Sequence, residues 1–474
     1  MKPPDFGAYQ HKLLLIVGVG MAVDGMLMFV VSLILPELPE SWELDATKRG
    51  VLGGAIFLGM CAGAPLWGDV SDRVGRLTTM NLTLGLAFGF GLLCALANSF
   101  WMFFAFEIAF GTCMGGFIPV ANTLLLECSP ADASGHSIGI AMNLFSIGAT
   151  TASVAAGYVL PAFGWSWLLV FAAAPLGLSL LAAPSLRLVE SPTWLAAHGR
   201  VQDAGTALGQ INAANGTVSN PGKAADAASV VPHNGGSEHA SVASGESRAP
   251  PKPSLLSLLM SREGVQLAVS LGLLWGCMSF AYYGIVFLLP TWVDTRVPAE
   301  WTYPAISLTA VAEIPGNLLA GYCCDRFGRR ASIGAFFSLA AALCLLSGLL
   351  SDAIDSGTAD WRIELVVICC LKAMVTAPFT SLYILTPEAF PTHVRNFALG
   401  LSTVVTRVGG TVTPAVGQLL LERSTSSLPT FLVYTTSCLV GALAAAALPF
   451  ETLGRDADAH MVGASAPVPR GLLL

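Results

Sequence analysis

The sequence predicts an all-α membrane protein with 12 transmembrane helices in two pseudo-symmetric halves of six. Its composition, its long apolar segments and a motif that occurs twice support this fold class. The chain has 474 residues, of which 54% are hydrophobic and only 11% charged, with a mean hydropathy of +0.68. Soluble proteins carry about 25% charged residues, so these charges are too few to cover a water-exposed surface. The composition excludes a soluble enzyme, and the net charge of −7 provides no basic surface for nucleic acid.

Twelve apolar segments are long enough to cross a bilayer, which requires about 20 residues in a helix. The first six lie at roughly 12–35, 50–70, 78–97, 100–127, 136–160 and 165–185. The second six lie at roughly 263–291, 302–323, 332–350, 361–386, 397–422 and 428–449. Both sets have the length and composition of transmembrane helices.

A stretch of different composition separates the two sets. From about residue 200 to 255 the chain is rich in Ala, Ser, Gly, Asn and Pro, with little hydrophobic periodicity. We therefore predict an N-terminal six-helix half at 1–195 and a flexible cytoplasmic linker at 196–262. A C-terminal six-helix half at 263–455 and a cytoplasmic tail at 456–474 complete the chain.

The distribution of Lys and Arg predicts the orientation, since cytoplasmic loops carry the excess of positive charge. The short loops on the side of the N-terminus carry Arg73, Arg76, Arg326, Arg329, Arg330 and Arg395. The loops on the other side carry Lys48, Arg49, Arg296, Arg362 and Arg423. Basic residues in the two termini and at the ends of the linker add to the first set. Both termini and the linker are therefore expected in the cytoplasm.

A motif of the form G-x-x-x-D-R-x-G-R follows the second and the eighth span. It reads GDVSDRVGR at 68–76 and GYCCDRFGRR at 321–330. Glu127-x-x-Pro130 after span four is repeated as Glu388-x-x-Pro391 after span ten. The acidic segments that begin at Glu190 and Glu451 follow spans six and twelve. Three repeats in the same order predict two homologous halves.

These repeated residues are candidates for a conformational latch between the halves. Glycine allows two helices to approach closely, while Asp and Arg can pair with helix ends and with charges on neighbouring helices. The alternative is that the Arg clusters only hold these loops in the cytoplasm. The candidate latch residues are Gly68, Asp72, Arg73, Gly75, Arg76, Gly321, Asp325, Arg326, Gly328, Arg329, Glu127, Glu388 and Arg395.

Further segments occur in a fixed order along the chain. They are Asp24-Gly25-Met26, Tyr282-Tyr283-Gly284, Glu313-Ile314-Pro315-Gly316, the run Tyr383–Arg395, Arg407-Val408-Gly409 and Pro449–Arg455. Together with the repeat, this series resembles the major facilitator superfamily over essentially the whole chain. Within it, the chain resembles the group of synaptic-vesicle-2-related proteins, bacterial niacin and aromatic-acid transporters and organic-ion transporters. The resemblance implies a transporter of that fold.

Two departures bear on the substrate that the resemblance implies. Sugar porters carry an Arg four residues before the Gly of span four, but Glu107 precedes Gly111 here. Span seven also lacks the paired glutamines with which sugar porters hold hydroxyl groups. Hexose transport is therefore disfavoured.

Five ionisable residues fall well inside the predicted spans: Asp24, Glu107, Glu313, Lys372 and Arg407. Each costs about 2.5–3.5 kcal/mol at the bilayer centre even on the mildest scale, so we expect all five to face the central cavity. The resemblance implies that Arg407 marks an organic anion transporter, because the cation transporters of the organic-ion family tend to have Asp at this position. A guanidinium also suits a carboxylate. The alternative is that Arg407 or Lys372 is a permanent partner of a membrane acid.

Asp24, then Glu313, then Glu107 are the candidates for proton coupling. A carboxylate in a poorly hydrated cavity can load and release a proton near neutral pH. The alternative is that all three are fixed counter-charges to Lys372 or Arg407. Tyr282 and Tyr283 on span seven offer aromatic rings to a planar substrate, so the candidate substrate-binding residues are Arg407, Lys372, Tyr283 and Tyr282.

We therefore expect a secondary transporter that moves a small organic anion, such as an aromatic carboxylate, by alternating access with proton symport. Two alternatives remain: an organic cation transporter of the same fold, and a non-transporting vesicle membrane protein. No nucleophile–base constellation or metal-ligand spacing points to an enzyme or to a cofactor. The expected partners are the small-molecule substrate, protons and the bilayer of a plasma or vesicle membrane. The chain is expected to be a monomer that binds no nucleic acid.

Overall fold

The computed structural model describes residues 6–130, 134–216, 262–390, 395–424 and 426–453. Of residues 134–142, 387 and 395–399, only the backbone is described. The N-terminal half contains α1 (Ala8–Ile34), α2 (Ala46–Val74), α3 (Arg76–Ala95), α4 (Phe100–Glu127), α5 (Ser134–Phe163) and α6 (Trp165–Leu186). Two shorter helices follow, α7 (Pro192–Ala197) and α8 (Val201–Ala214). The C-terminal half contains α9 (Arg262–Arg296), α10 (Thr302–Val311), α11 (Glu313–Phe327), α12 (Arg329–Asp355), α13 (Trp361–Ala389), α14 (Arg395–Arg423) and α15 (Leu428–Ala446).

The protein is an all-α membrane protein with twelve transmembrane helices in two halves of six, as predicted. Ten of the described helices qualify as membrane spans by length and apolar composition alone. The eighth span is divided at Ala312 into α10 and α11, so neither part is long enough by itself. The eleventh span is α14, whose mean hydropathy is lowered by Arg407 and by several Thr and Gly residues.

The first part of the predicted linker is helical, contrary to the expectation of little regular structure. α8 buries Ala204, Ala207 and Ile211, which form one face of the helix. At the end of α8, the Asn215 side chain accepts a hydrogen bond from the backbone N–H of Tyr9 at 2.9 Å. This segment is therefore docked against the start of α1. Residues 217–261 and the tail from residue 454 onward lie outside the described residues.

Single glycines form the turns of the two motif copies. Gly75 joins α2 to α3 with φ +109°, and Gly328 joins α11 to α12 with φ +92°. Residues with a Cβ rarely adopt such values, so both turns require glycine. We call the end of the bundle where these glycines lie the motif end, and the other end the opposite end.

The two halves pack tightly at the opposite end, where α2 begins and α14 finishes. A Cβ placed on Gly54 would lie 2.5 Å from the backbone oxygen of Thr411, so only glycine permits this approach. The backbone N–H of Ala46 donates to Glu422 Oε1 at 2.9 Å, which joins the halves by a hydrogen bond. α5 and α10 also meet, since a Cβ on Gly157 would lie 2.9 Å from the Tyr303 side chain. The opposite end is closed in this conformation.

Candidate functional site

A central cavity lies between the halves, bounded by α2 and α4 on one side and by α13 and α14 on the other. Its volume is about 140 Å³. It is lined by Met60, Cys61, Ala64, Gly115, Ile118, Pro119, Asn122, Thr123, Leu126, Tyr383, Gly400, Thr403, Val404 and Arg407. It extends from Arg407 to Leu126 and Gly400, which lie near the motif end of α4 and α14. Because the opposite end is closed, the cavity opens toward the motif end.

Arg407 is the charged residue of this lining, and no carboxylate is among the described residues that line the cavity. Its guanidinium lies against the Tyr283 hydroxyl on α9 and is the cation that acts on Asp24 of α1. Asp24 itself is only 4% exposed. No ion pair within 4.0 Å joins Asp24 to Arg407 in the described structure, and Asp24 Oδ1 has no hydrogen-bond partner there. Arg407 therefore keeps hydrogen-bonding capacity for a ligand.

Lys372 has a different environment, although it is a second cation inside the membrane. Its Nζ lies 2.5 Å from Glu313 Oε1, and both side chains have no exposed surface. The Tyr282 hydroxyl donates to the same carboxylate, at 3.1 and 3.2 Å from its two oxygens. These three residues are not part of the cavity lining. The expectation that Lys372, Glu313 and Tyr282 face the central cavity is therefore wrong for this conformation.

The Lys372–Glu313 pair lies at the seam between the two halves. Lys372 Nζ lies 4.9 Å from the ring centroid of Phe29 on α1 and 4.6 Å from that of Tyr282. Ser146 on α5 donates to Glu313 Oε2 at 3.4 Å and accepts from Asn317 Nδ2 at 3.1 Å. The ion pair of the C-terminal half is thus covered by groups of the N-terminal half.

Glu107 also lies away from the central cavity, contrary to expectation. It is 3% exposed and projects into a small pocket formed within the N-terminal half. The pocket is lined by apolar side chains, Leu27, Val31, Ile56, Cys94, Phe103, Phe110 and Leu169, together with Gly91. Neither carboxyl oxygen has a hydrogen-bond partner in the described structure. Glu107 is therefore isolated from the other membrane charges.

Tyr283 is 1% exposed and packs its ring against Phe57, with the ring centroids 4.4 Å apart. It therefore contacts Arg407 from behind the cavity wall instead of offering its ring to a substrate. The wall itself contains Tyr383, whose ring is held at 90° to that of Trp275 with centroids 5.0 Å apart. In this conformation, Tyr383 takes the place in the cavity that we expected for the Tyr282–Tyr283 pair.

Asn122 and Tyr383 are lining residues that the sequence analysis did not single out as site residues. The signal for Asn122 is helical spacing, because Gly115, Ile118, Pro119 and Asn122 recur at three and four residues on one face of α4. Recognising that face as a cavity wall required the position of the opposite half. The composition of α4 alone does not distinguish it from a packing face.

In the N-terminal half, the motif residues form a network with the acidic repeats. Arg76 Nη1 lies 2.7 Å from Asp72 Oδ1, and Arg76 Nε lies 3.7 Å from Glu127 Oε2. The Glu190 carboxylate accepts the backbone N–H groups of Arg76 and Leu77 at the start of α3, at 2.9 and 3.1 Å. A carboxylate at a helix N-terminus is favourable because free N–H groups and the helix dipole meet there.

The C-terminal half repeats this network. Arg329 donates to both oxygens of Glu388 at 2.9 Å, and its Nη2 lies 3.3 Å from Asp325. Glu451 accepts the backbone N–H groups of Arg329 and Arg330 at 2.8 and 3.0 Å. The three sequence repeats therefore correspond to repeated structure, because equivalent residues make equivalent contacts in the two halves.

Each ion pair that the described motif residues form lies within one half, so no ion pair of the described part of the predicted latch joins the two halves in this conformation. Arg73 pairs with Asp69 on its own helix at 2.9 Å, and Arg326 is exposed. A Cβ on Gly68 or Gly321 would meet nothing within 4 Å. The close helix approach expected at these two glycines is therefore absent from this conformation. The side chain of Arg395, the last latch candidate, lies outside the described residues.

Comparison with known proteins agrees with this architecture. The family model of the Major Facilitator Superfamily matches residues 17–298 and 298–466. The bovine (Bos taurus) synaptic vesicle 2-related protein is 27% identical over 477 residues, which cover 95% of this chain and 80% of that protein. The organic cation/carnitine transporter 7 of Arabidopsis thaliana is 29% identical, covering 95% of this chain and 93% of that protein. The niacin transporter NiaP of Acinetobacter baylyi is 26% identical, covering 95% and 96% respectively.

Among solved structures, the partially occluded inward open form of the xylose transporter XylE from E. coli superposes with a TM-score of 0.73 at 17% sequence identity. The match covers 94% of this chain and 98% of that one, which shows that the two share a fold. With the family model covering almost the whole chain, these matches identify an integral, multi-pass membrane transporter for small molecules and not an enzyme. The resemblance predicted from the sequence motifs is confirmed: the chain belongs to the major facilitator superfamily.

Proposed function

We propose that this protein is a secondary transporter of a small organic anion with a single aromatic ring, driven by proton symport. The observation that carries the proposal is the charge of the central cavity, where Arg407 is accessible and no described carboxylate lines the wall. A guanidinium binds a carboxylate through two parallel hydrogen bonds, which a compact ammonium cannot do. An anion is therefore the ligand that this cavity attracts.

The size and lining of the cavity support one aromatic ring. A cavity of about 140 Å³ is close to the engineered apolar cavity of about 150 Å³ that binds benzene. Its walls are largely apolar, and Met60, Ile118, Pro119 and Val404 line it together with Tyr383. A relative that is named a niacin transporter is consistent with a monocyclic aromatic acid.

An organic cation is the second candidate, because three membrane acids and a relative named organic cation/carnitine transporter point to it. Asp24, Glu107 and Glu313 are 4%, 3% and 0% exposed, and none of them lines the cavity. Glu313 is also neutralised by Lys372. A cationic substrate in this cavity would meet the positive charge of Arg407 without a compensating acid, so we place the cation second.

Proton coupling is assigned to Asp24. It lies close enough to Arg407 to interact electrostatically but forms no ion pair with it, whereas Glu313 is held by Lys372 and Glu107 is isolated in its own pocket. A proton on Asp24 would remove the acid that competes with the substrate for Arg407. Substrate and proton would then bind together, as symport requires.

For the transport cycle, we propose that both termini and the motif end face the cytoplasm and that the protein works as a monomer. The conformation described above is then open to the cytoplasm and closed on the outer side. In the opposite conformation the motif ends of the halves approach each other, and helices pack against Gly68 and Gly321, which are free of close contacts here. The proposed location is a vesicle membrane, which the name of the synaptic vesicle 2-related relatives supports.

The test is uptake into proteoliposomes that contain the purified protein, with and without an inward proton gradient. Labelled nicotinate, benzoate, a small organic cation and a hexose form the substrate panel. We expect gradient-stimulated uptake of a carboxylate, lowered at least about 30-fold in Arg407→Ala, since losing a buried charge partner costs about 2 kcal/mol or more.

Arg423→Ala is the matched control, because Arg423 is an exposed arginine at the end of the same helix. It is expected to transport like the wild type. Uptake of the cation and not the carboxylate, unaffected by Arg407→Ala, would overturn the assignment of an anionic substrate.

A further inference from the structure

Phe57 of α2 packs against two helices of the other half, α9 and α14. Its side chain is completely buried, and its ring lies on the ring of Tyr283 with the centroids 4.4 Å apart. It also meets Gly410 of α14, where an added Cβ would lie 2.8 Å from the Phe57 ring. Protein interiors are close-packed, so a larger residue at position 410 would displace this ring. Phe57 is therefore a side chain of the N-terminal half that is seated in the C-terminal half.

This contact lies next to the cation of the central cavity. Gly410 follows Arg407 by three residues, which places the two on neighbouring turns of one side of α14. The Tyr283 hydroxyl lies against the Arg407 guanidinium. The backbone of α14 is held beside α9 at this level, because Ser279 Oγ donates to the backbone oxygen of Thr406 at 2.5 Å. What remains to be fixed is the long side chain of Arg407 itself.

The orientation of that side chain affects how tightly it binds an anion. An arginine side chain has many rotamers, and a rotamer-rich side chain that becomes ordered only when the ligand binds weakens the affinity. A neighbour that holds the guanidinium beforehand removes this cost. Tyr283 is such a neighbour, provided that its own ring is fixed, and the aromatic contact with Phe57 fixes it.

We propose that Phe57 is a positioning residue for the anion site, which acts by holding Tyr283 against Arg407. This inference rests on the proposed binding of an organic anion at Arg407 and adds to it a residue of the other half. Phe57 is not among the described residues that line the cavity, so it acts on the anion through Tyr283 and Arg407. The orientation of Arg407 then depends on the packing of α2 against α14 at the closed opposite end.

The test measures the Kd of labelled benzoate and labelled nicotinate for the purified full-length protein and its variants. We expect Phe57→Leu, which unpacks the Tyr283 ring, and Tyr283→Phe, which removes only the hydroxyl, each to raise Kd about 3- to 10-fold. This is the effect of one long side chain that must be ordered on binding. Phe57→Leu is expected to have little further effect in the Tyr283→Phe background, because both changes act on the same arginine.

Two matched controls come from the same half. Phe337 on α12 is also completely buried against a glycine, since a Cβ on Gly441 would lie 2.7 Å from its ring. Phe337→Leu is therefore expected to lower the melting temperature and to leave Kd unchanged. Tyr434 is a buried tyrosine whose hydroxyl oxygen would lie 2.7 Å from a Cβ on Gly417. Tyr434→Phe is expected to bind both acids like the wild type.

The outcomes separate this inference from the proposed function. An unchanged Kd in Phe57→Leu, even with a lowered melting temperature, would refute the role of Phe57 while anion binding stands. A full further loss of affinity from Phe57→Leu in the Tyr283→Phe background would refute it too. Absence of binding of both acids by the wild type, with uptake of a cation by proteoliposomes, would refute the proposed function itself.

A second variant serves if Phe57→Leu is poorly folded. Gly410→Ala leaves Phe57 unchanged but places a Cβ against its ring, so we expect the same rise in Kd. Gly272→Ala on α9 is the control for this variant, because a Cβ there would meet nothing within 4 Å. An equal Kd in the two glycine variants would contradict the positioning role.

Discussion

Lys372→Met is expected to destabilise the protein strongly, because it leaves the Glu313 carboxylate buried without its cation. The two side chains are completely enclosed, with Nζ and Oε1 at 2.5 Å. The ammonium group also lies 4.9 Å from the ring centroid of Phe29 and 4.6 Å from that of Tyr282. The prediction distinguishes a structural ion pair from a substrate-binding lysine, which is the role that sequence reasoning gave to Lys372.

The expected magnitude follows from the separation of the charges. Two unit charges at 2.5 Å attract by about 7 kcal/mol at an effective dielectric constant of about 20. The loss of hydration offsets most of this attraction, so an apolar replacement of both partners is often neutral. Removing one partner alone costs about 3–5 kcal/mol, because the other charge stays buried. Lys372→Met and Glu313→Gln should therefore each be far less stable than the double variant.

The assay is thermal unfolding of the detergent-solubilised protein, followed with a thiol-reactive fluorogenic dye. The dye suits this chain because all eleven cysteines are free and ten of them are wholly or partly buried. We expect each single variant to lower the melting temperature sharply and the double variant to recover most of the loss. Arg362→Ala is the control on the same helix, since its pair with Asp360 is exposed and contributes about 0–1 kcal/mol.

Additive effects in the double variant would refute the reasoning, because two independent residues do not rescue each other. A single variant with unchanged melting temperature but abolished substrate binding would likewise assign Lys372 to the substrate. Uptake of substrate by the double variant is a second test of the same prediction. Retained uptake is expected if the pair holds α11 against α13 and takes no part in binding.

Three further predictions concern other parts of the molecule. Gly75→Ala is expected to lower the free energy of unfolding by about 1–2 kcal/mol, because alanine is strained at the φ of +109°. Gly68→Ala, which has open space around it, is expected to leave the melting temperature unchanged and to slow transport. An impermeant anionic thiol reagent is expected to inhibit transport by reacting with Cys61 when it is added on the cytoplasmic face only, and Cys61→Ser is expected to abolish this inhibition. Inhibition of transport from the other face alone would contradict the proposed orientation. Asp24→Asn is expected to keep substrate counterflow and to lose gradient-driven accumulation, whereas Glu107→Gln is expected to keep both. If accumulation were lost in Glu107→Gln and kept in Asp24→Asn, the proton site would instead be Glu107 in its own pocket.

The spans and the two-half organisation could be predicted from the sequence because they depend on local and repeated signals. Hydrophobic length defines each span, and the predicted limits agree with the helices to within a few residues, as for 100–127 and α4. The turns at Gly75 and Gly328 are equally local, since a positive φ requires glycine wherever the turn occurs. The break at Ala312 also has a local signal, because the neighbouring Pro315 is a helix-breaking residue at which the backbone is expected to bend.

The environment of the membrane charges could not be predicted in the same way, because it depends on contacts between distant helices. Five ionisable residues share one sequence signal, a charge within an apolar span, and for that reason all five were expected to face one central cavity. Glu313 and Lys372 instead pair across α11 and α13, while Glu107 lies in a pocket built from five helices of one half. The cost of placing a charge inside the membrane indicates that each of these residues has a role, but it does not show whether that role is binding, proton transfer or structural pairing.

Arg407 and Lys372 show how the fold divides two similar cations between binding and structure. Each lies inside a membrane span, but among the described residues a carboxylate forms an ion pair with Lys372 and not with Arg407, and aromatic rings lie against Lys372. Arg407 has a hydroxyl and a distant acid as neighbours and an open cavity in front of it. A charge that is already neutralised gains little from a ligand, whereas an incompletely paired one gains the energy of a new ion pair. The site of anion binding therefore follows from which cation the protein leaves incompletely paired.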